Sequence, residues 1–388
     1  MSMPTEPTRV LLLRDVPERP LPSMERWADE LEWGVAEHPA VRMTSMTVHE
    51  SALAARAGLG RFDSYLARFV RYPIAASRSR ADVYHIVDHG YAHLAALLPR
   101  KRVVVTCHDL MLMKAAEGAA GFVPGPMSLA RFRWSTSFLK SVARVVAVSE
   151  ATKRDVVRLR GVAPERVVVV PNGIAACFRP LPQEARARLK AGIAPGRHLV
   201  LHVSTGDAYK NVAGTLRVLA ALRDSGTDVT LVRVGKPLSQ DECRLVRALR
   251  VDGAIIECGR VSDERLVELY NACDVLLFPS FYEGFGWPPI EAMACGTPAV
   301  TSDCPSLVEI AGDAALSAPA MDIEELARAV RAVLESPDLA VTLRHRGIER
   351  AARFTWQRTA DAFVRVYEEV AHEAVSVSRG EATPACAE

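Results

Sequence analysis

The stretch Phe278 to Val300, FPSFYEGFGWPPIEAMACGTPAV, constrains this chain more than any other. Asp274–Phe278 is short and apolar, the pattern of a buried strand, and Pro279-Ser280 closes it with a turn. Pro288 and Pro289 then fit a first helical turn, where a missing N–H costs nothing, and Gly296 suits the position just past the last turn. Between strand and helix lies Glu283-Gly284-Phe285-Gly286. A strand, a glycine loop and a helix N-terminus in succession make an anion site, because unpaired backbone N–H groups and the positive dipole end converge there. Glu283 and Glu291 bracket the site eight residues apart, so they are not neighbours on one helix face. One can meet the reacting end of a ligand while the other reaches a different part of it.

A chain of 388 residues is too long for one ordinary core, which makes two α/β domains the natural expectation. Its hydrophobic content of 49% and charged content of 24% describe a soluble globular protein. No run approaches a membrane span, and the opening MSMPTEPTRV lacks the apolar core of a signal peptide. The eight cysteines are scattered without a C-x-x-C pair, as expected of reduced thiols in a cytoplasmic protein. Charge is uneven along the chain. Through Arg179 there are 25 Lys and Arg against 17 Asp and Glu, and after it 23 against 29. A basic front half suggests an acidic or membrane-associated partner for that half alone.

Arg9–Leu13 reads as a first buried strand, followed by the loop RDVPERPLPS and a helix from about Met24 to Glu37 with Ser23 as N-cap. Residues 56–80 hold six arginines and one aspartate, with Phe62, Tyr65, Leu66, Phe69 and Val70 at helical spacing. The simpler reading is a helix burying that stripe in the first domain; the other is a membrane-surface or lipid-acceptor helix. Asp82–Val87 and Arg102–Thr106 are the next strands. His108 lies at the C-terminal end of the second, where open α/β sheets place ligand groups, and a bond to a neighbouring loop is the competing role. His85, Asp88, His89 and His93 cluster without a zinc spacing, so acceptor-cleft lining or loop polarity explains them better. Arg144–Ser149, the helix ATKRDVVRL and the strand VVVVPNGI complete this half.

Prolines and glycines over 171–196 mark a boundary. A second series follows: strands at 198–203, 229–234 and 254–257, helices at 212–221, 240–249 and 263–271, then the central strand. Strands alternating with helices mean parallel sheets, here two in succession. The portion from Ile323 to about His372 is helical.

With Pro279-Ser280 before it, Gly-Phe-Gly inside it and EAMACGTP after it, the E-x7-E spacing resembles the donor-site signature of the retaining glycosyltransferases of family 4. The VSE and PNG segments and FTWQRTADAFVRVYEEV extend the resemblance over nearly the whole chain. It implies a GT-B fold: α/β, two Rossmann-like domains whose parallel sheets face an interdomain cleft, and a C-terminal helix crossing back to the first. The expected divisions are an acceptor domain over 1–178 with the helix at about 358–376, a donor domain over 179–357, and a disordered tail over 377–388.

The resemblance further implies a donor site of Ser204, Thr205, Lys210, Val261, Glu283, Gly284, Phe285, Gly286 and Glu291, with His108, Glu283 and Lys210 at the chemistry. Glu283 is to sit by the donor sugar, Glu291 to hold the ribose hydroxyls and Lys210 the pyrophosphate. Two departures stand out. The phosphate-binding arginine of a G-R pair would fall at Ser204-Thr205 and is absent, and Tyr209 replaces the arginine of an R-K-N run. The loop after the first strand also lacks the family's glycines.

No D-x-D occurs, so no metal or cofactor is expected, and the leaving diphosphate must be met by the helix N-terminus and cationic side chains. The implied reaction is hexosyl transfer, of mannose or rhamnose type, from a nucleotide-diphosphate sugar to a glycan or lipid-linked acceptor in surface polysaccharide or glycoconjugate synthesis. Nucleic acid is not an expected partner; peripheral association with an anionic membrane, at the inner face, is. A non-hydrolysing nucleotide-sugar epimerase and a catalytically weak nucleotide-binding scaffold are the alternatives.

Overall fold

The structure, a computed structural model, describes residues 6–16, 22–49 and 60–378. The chain divides into two compact units. The first comprises Met1–Met113, Gly125–Gly173 and Trp356–Glu388; the second comprises Lys114–Pro124 and Ile174–Thr355. The divisions fall a few residues from those expected, and segment 114–124 clusters with the second unit although the sequence reading ran the first domain unbroken to 178.

The first unit is a six-stranded, all-parallel sheet in the order β2-β1-β3-β4-β5-β6. The strands are β1 (Thr8–Leu13), β2 (Val41–Met46), β3 (Val83–Ile86), β4 (Val103–Cys107), β5 (Arg144–Ala147) and β6 (Val167–Val169). β3 and β4 are buried at every residue, as central strands covered on both faces must be. β2 is one of the two edge strands, and its run VRMTSM carries too few apolar residues to announce itself in sequence. The helices that bear on the sites are α1 (Pro22–Val35), α2, α3 (Pro126–Thr136) and α4 (Glu150–Arg160). α2 runs as Gly60–Leu66, a π-helical turn Ala67–Arg71, and Tyr72–Ser77. α1 starts at Pro22, so Ser23 lies inside its first turn and is not the N-cap; proline's fixed φ suits that opening position.

The closing helix, Trp356–Ser378, belongs to the first unit and continues through residues 377 and 378, which the sequence reading gave to a disordered tail; the remainder of that tail, 379–388, lies outside the described residues. Its attachment is specific. A Cβ on Gly34 of α1 would stand 2.9 Å from Ala360 Cβ, and one on Gly173 would stand 2.4 Å from Trp356 N, so both contacts require glycine. Tyr367 Oη lies 2.7 Å from His85 Nδ1, and His85 Nε2 lies 2.8 Å from Thr106 Oγ1. Burial pulls His85 down to about 3, so it is a neutral core histidine rather than a cleft-lining one.

α2 overturns the simpler reading of its apolar stripe. Phe62, Tyr65, Leu66 and Val70 are exposed, as is Ile74. The buried face is instead Asp63, Ser64, Ala67, Tyr72 and Ala76, with Asp63 neutralised by Arg71 at 2.8 Å. The period of a stripe shows that a helix is two-faced but not which face is turned inward. Phe62, Leu66, Val70 and Ile74 recur every fourth residue, and the π turn, with its i→i+5 bonds, absorbs the drift that such spacing produces in an α-helix.

The second unit repeats the architecture as β12-β11-β10-β7-β8-β9, also all parallel. Its strands are β7 (His198–Ser204), β8 (Val229–Gly235), β9 (Ile255–Glu257), β10 (Val275–Phe278), β11 (Ala299–Ser302) and β12 (Ala315–Ala318). Four helices bear on its site: α5 (Val212–Asp224), α6 (Asp263–Ala272), α7 (Trp287–Ala294) and α8 (Pro305–Ala311). β7 and β10 are adjacent central strands, so the loops that follow them emerge side by side at the C-terminal edge of the sheet.

Candidate active site

The loop after β10 is held from four directions. Asn211 Nδ2 donates to Pro279 O at 3.0 Å, and Phe281 N donates to Tyr209 O at 2.8 Å. Ser302, at the end of β11, donates to Ser280 O, and Ser306 Oγ of α8 donates to Glu283 O at 2.6 Å. Gly286 then turns into α7 with φ 89°, and a Cβ there would meet Leu307 Cδ2 at 2.4 Å. Glycine is therefore required twice over at that residue, by its backbone angle and by the packing of α8. Phe281 also packs on the 114–124 segment, where a Cβ on Gly121 would stand 2.4 Å from its ring.

Lys210 reaches into this loop. Its Nζ lies 2.7 Å from Glu283 Oε1, with 4.9 Å to the Tyr209 ring centroid and 5.2 Å to that of Phe278. The side chains of the pair are only 12% and 8% exposed, so each charge depends on the other. Glu291, one turn into α7, accepts from Tyr270 Oη of α6 at 2.9 Å and is likewise buried. The two glutamates thus have different neighbours, one a cation and one a phenol.

Ser204 ends β7 with its Oγ 3.0 Å from His202 Nε2, and Thr205 Oγ1 donates to Asp207 Oδ2 at 2.6 Å. Neither hydroxyl supplies the positive charge of the absent arginine. Gly235, at the end of β8, permits the adjacent strand ends to close up: a Cβ there would lie 1.7 Å from Ser204 O. Gly235 N donates to Gly259 O at 2.9 Å, which brings the Gly259–Val261 segment alongside. The structure therefore gathers Ser204, Thr205, Lys210, Glu283, Gly284, Phe285, Gly286 and Glu291 at the C-terminal edge of one sheet, with Val261 on the loop after β9.

Two residues were not singled out by sequence reasoning. Asn211 adopts left-handed backbone at φ 54°, caps α5 by accepting from Gly214 N at 3.0 Å, and donates also to Ala320 O at 2.9 Å. An asparagine just before a helix was the available signal, since it is the side chain best able to combine that conformation with capping. His202 is wholly buried, pulled down to about 4 by burial, and bridges Leu277 O at 3.0 Å to Ser204. Its alternating position inside a strand gave no sign of that bridge.

His108 belongs to the first unit. Its Nε2 lies 3.0 Å from Val87 O, its ring packs edge-on against Trp27 at 5.3 Å, and burial pulls it down to about 4. It is a neutral imidazole that donates to a neighbouring strand end. In the same unit Asp15 is 3% exposed, with no hydrogen-bond partner for Oδ1 among the described residues. Burial, reinforced by the nearby Asp88 charge, pushes it up to about 8, against the pull of Arg68 and Arg14. Asp88 stays below the usual carboxylate range despite its burial, because His89 and the Gly90 N–H favour its charged form.

Two parallel α/β units, the second with its carboxylate-bearing glycine turn at the sheet's C-terminal edge, define a GT-B glycosyltransferase. The model for Glycosyltransferase Family 4 matches residues 27–176 and that for Glycosyl transferases group 1 matches residues 183–354. The chain belongs to this family of glycosyltransferases. It is 27% identical over 289 residues to the O-antigen chain mannosyltransferase B of Escherichia coli, covering 72% of this chain and 74% of that one. Two other curated relatives are matched over only 61% and 54% of their own length. Among solved structures, sucrose-phosphate synthase from Thermosynechococcus elongatus superposes with TM-score 0.74 at 20% identity, over 94% of this chain and 99% of that one. Anabaena Alr3699/HepE, solved with UDP-glucose, superposes with TM-score 0.71 at 17% identity, over 95% and 100%.

Two expected outcomes follow from these geometries. Lys210→Met and Glu283→Gln should each lower the unfolding free energy measured in urea by about 3–5 kcal/mol, because each strands a buried charge. The double variant should lose clearly less than the sum, and strictly additive losses would show that the pair is not coupled. The second concerns Asp15, whose folded pKa of about 8 lies above its ordinary value. The folded state then binds the extra proton between those two values, so wild-type stability falls as pH rises through that window. Asp15→Asn should remove this loss, and its advantage in unfolding free energy should grow from pH 5 to pH 8, by at most about 1.4 kcal/mol per pH unit. An advantage independent of pH would mean that Asp15 ionises normally.

Proposed function

We propose that this glycosyltransferase moves a hexose of mannose or rhamnose type, with retention of configuration, from a nucleotide-diphosphate sugar to an acceptor hydroxyl in surface polysaccharide or glycoconjugate synthesis. The observation that carries the reading is the Lys210–Glu283 pair beside the glycine turn that opens α7. A donor pyrophosphate arriving there meets a cation already in position and the positive end of a helix, while Glu283 remains by the sugar as a charge and position element. Glu291, fixed by Tyr270 one turn further on, is suited to hold ribose hydroxyls. The departing phosphate accepts the proton of the attacking hydroxyl on the same face, with no resident cofactor or metal. The mannosyl lean draws on the Escherichia coli relative, and the nucleotide donor on the UDP-glucose-bound neighbour.

Glu291→Ala should raise the donor KM with kcat less affected, whereas Glu283→Ala should mainly lower kcat. Lys210→Ala should reduce kcat/KM at least tenfold, since a charge-assisted bond to phosphate is worth about 1.5–3 kcal/mol. The measurement is release of nucleoside diphosphate from GDP-, UDP- and dTDP-sugars, with and without acceptor extracts, after chelation of divalent metals. Matching profiles for the two glutamate variants would sink their division of labour, and a strict need for added metal would sink the metal-free step.

The same reading puts the enzyme in the cytoplasm, peripherally on the anionic inner membrane face, where a lipid-linked acceptor is presented. No helix among the described residues is long and apolar enough to cross a membrane. Support for surface binding comes from the exposed ridge of α2, Phe62, Leu66, Val70 and Ile74, near the exposed Arg78 and Arg80. Arg71 pairs with Asp63 and Arg68 donates one bond to Gly90 O, so the surface reading rests on neither of them. Phe62→Ser with Val70→Ser should weaken binding to phosphatidylserine-containing vesicles at least tenfold. Indifference of the wild type to such vesicles at low salt would remove the membrane part of the reading.

A further inference from the structure

We propose that a pocket in the first unit, lined by Val16, Tyr65, Arg68, Phe69, Tyr91 and Arg131, binds a phosphate-bearing head group on the acceptor. The proposal rests on the transferase reading above and names the chemical class that the acceptor belongs to. Val16 follows β1 and Tyr91 follows β3, and these strands are neighbours in the sheet. The pocket therefore stands at the C-terminal edge of a parallel sheet, where ligand crevices form.

Its polarity is one-sided. Two guanidinium groups line it and no carboxylate does. Arg68 lies 3.9 Å above the Tyr91 ring centroid and donates through Nη2 to Gly90 O at 2.6 Å, which holds the fork in place. Its Nε is buried and without a hydrogen-bond partner among the described residues. Arg131, on the exposed side of α3, donates through Nη1 to Tyr65 Oη at 2.8 Å. Planar guanidinium forks with donors to spare match phosphate oxygens in geometry as well as charge.

The nearby acids lie outside the lining. Asp15, beside Val16 in sequence, is pushed up to about 8 by burial and by the Asp88 charge, while Asp88 accepts from Gly90 N at 2.7 Å and lies 3.2 Å from His89 Nδ1. Asp63 pairs with Arg71. Beside the cations, Tyr65 and Phe69 stack at 6.0 Å with planes 18° apart, an apolar flank for the sugar or lipid portion that carries the phosphate. Phosphate, with a ring or chain attached, is the chemistry that both halves of the pocket fit.

The test is calorimetric titration of the full chain with mannose, mannose 1-phosphate and geranyl diphosphate. At least one phosphate-bearing probe should bind ten times more tightly than mannose. Tight binding of mannose 1-phosphate alone assigns a soluble sugar phosphate, and of geranyl diphosphate alone a lipid diphosphate. Arg131→Gln, on the surface, and Arg68→Lys, which keeps the charge but loses the fork, should each reduce the preference at least fivefold in protein with a wild-type melting temperature. No phosphate preference in the wild type, or a preference unchanged in both variants, overturns the pocket. Nucleotide-sugar binding is measured separately on the wild type. Its failure alongside an intact phosphate preference overturns the donor reading and leaves the anion site standing, and the reverse result overturns the pocket alone.

Discussion

Lys210 reaches Glu283 because the residue after it, Asn211, occupies left-handed backbone and ties three segments together. That one side chain caps α5, anchors the loop after β10 through Pro279 O, and holds the loop after β12 through Ala320 O. The strand ends carrying the cation and the carboxylate are thereby locked in register before any ligand arrives. A flexible lysine on a free loop would lose rotamer entropy on meeting a phosphate; this one has lost it already. A desolvated ion pair of this kind adds little net stability, and it gives instead a positioned charge whose partner keeps it in place.

The first unit uses its buried polar groups differently. His85, His93 and His108 all lie well below the ordinary histidine range through burial, and each is bonded to a hydroxyl or a carbonyl. Trp27 sits beside two of them, edge-on to His85 and His108 and also to Trp356 and Phe363, with its Nε1 donating to Asn172 Oδ1 at 2.8 Å. His85 and Trp27 help fasten the closing helix and the PNG turn to the sheet, whereas His93 bonds Ser135 Oγ and the Arg68 carbonyl, and His108 the Val87 carbonyl. Asp15 is the exception, a buried carboxyl with no partner on one oxygen among the described residues, next to a pocket lined by arginines.

Much of the candidate site was legible before folding. Glycines at tight turns, prolines in a first helical turn and a central strand buried on both faces each leave local marks, and those marks coincide over Phe278–Val300. The edge strands β2 and β12 were not legible, since an edge needs few apolar residues. The anchoring of Glu291 by Tyr270 across 21 positions, and the contact of Gly121 with Phe281, could not be read from spacing at all. Pairings of that kind are decided by how helices lie over a sheet, which no local pattern encodes.

α2 draws the line most clearly. Its sequence determined that one face would be apolar and the other polar, because that follows from residue type and helical period. Which face turned inward was decided by tertiary structure, where Asp63 found Arg71 and Tyr72 Oη found the backbone carbonyls of Arg14 and Met46. Once those polar groups were satisfied inside, the apolar ridge was left outside. Sequence alone likewise determined the two α/β units and the glutamate pair, through periodicity and turn chemistry. Only the folded chain decided which charges meet, because hydrogen bonds and ion pairs form between atoms brought together by packing, not between neighbours in sequence.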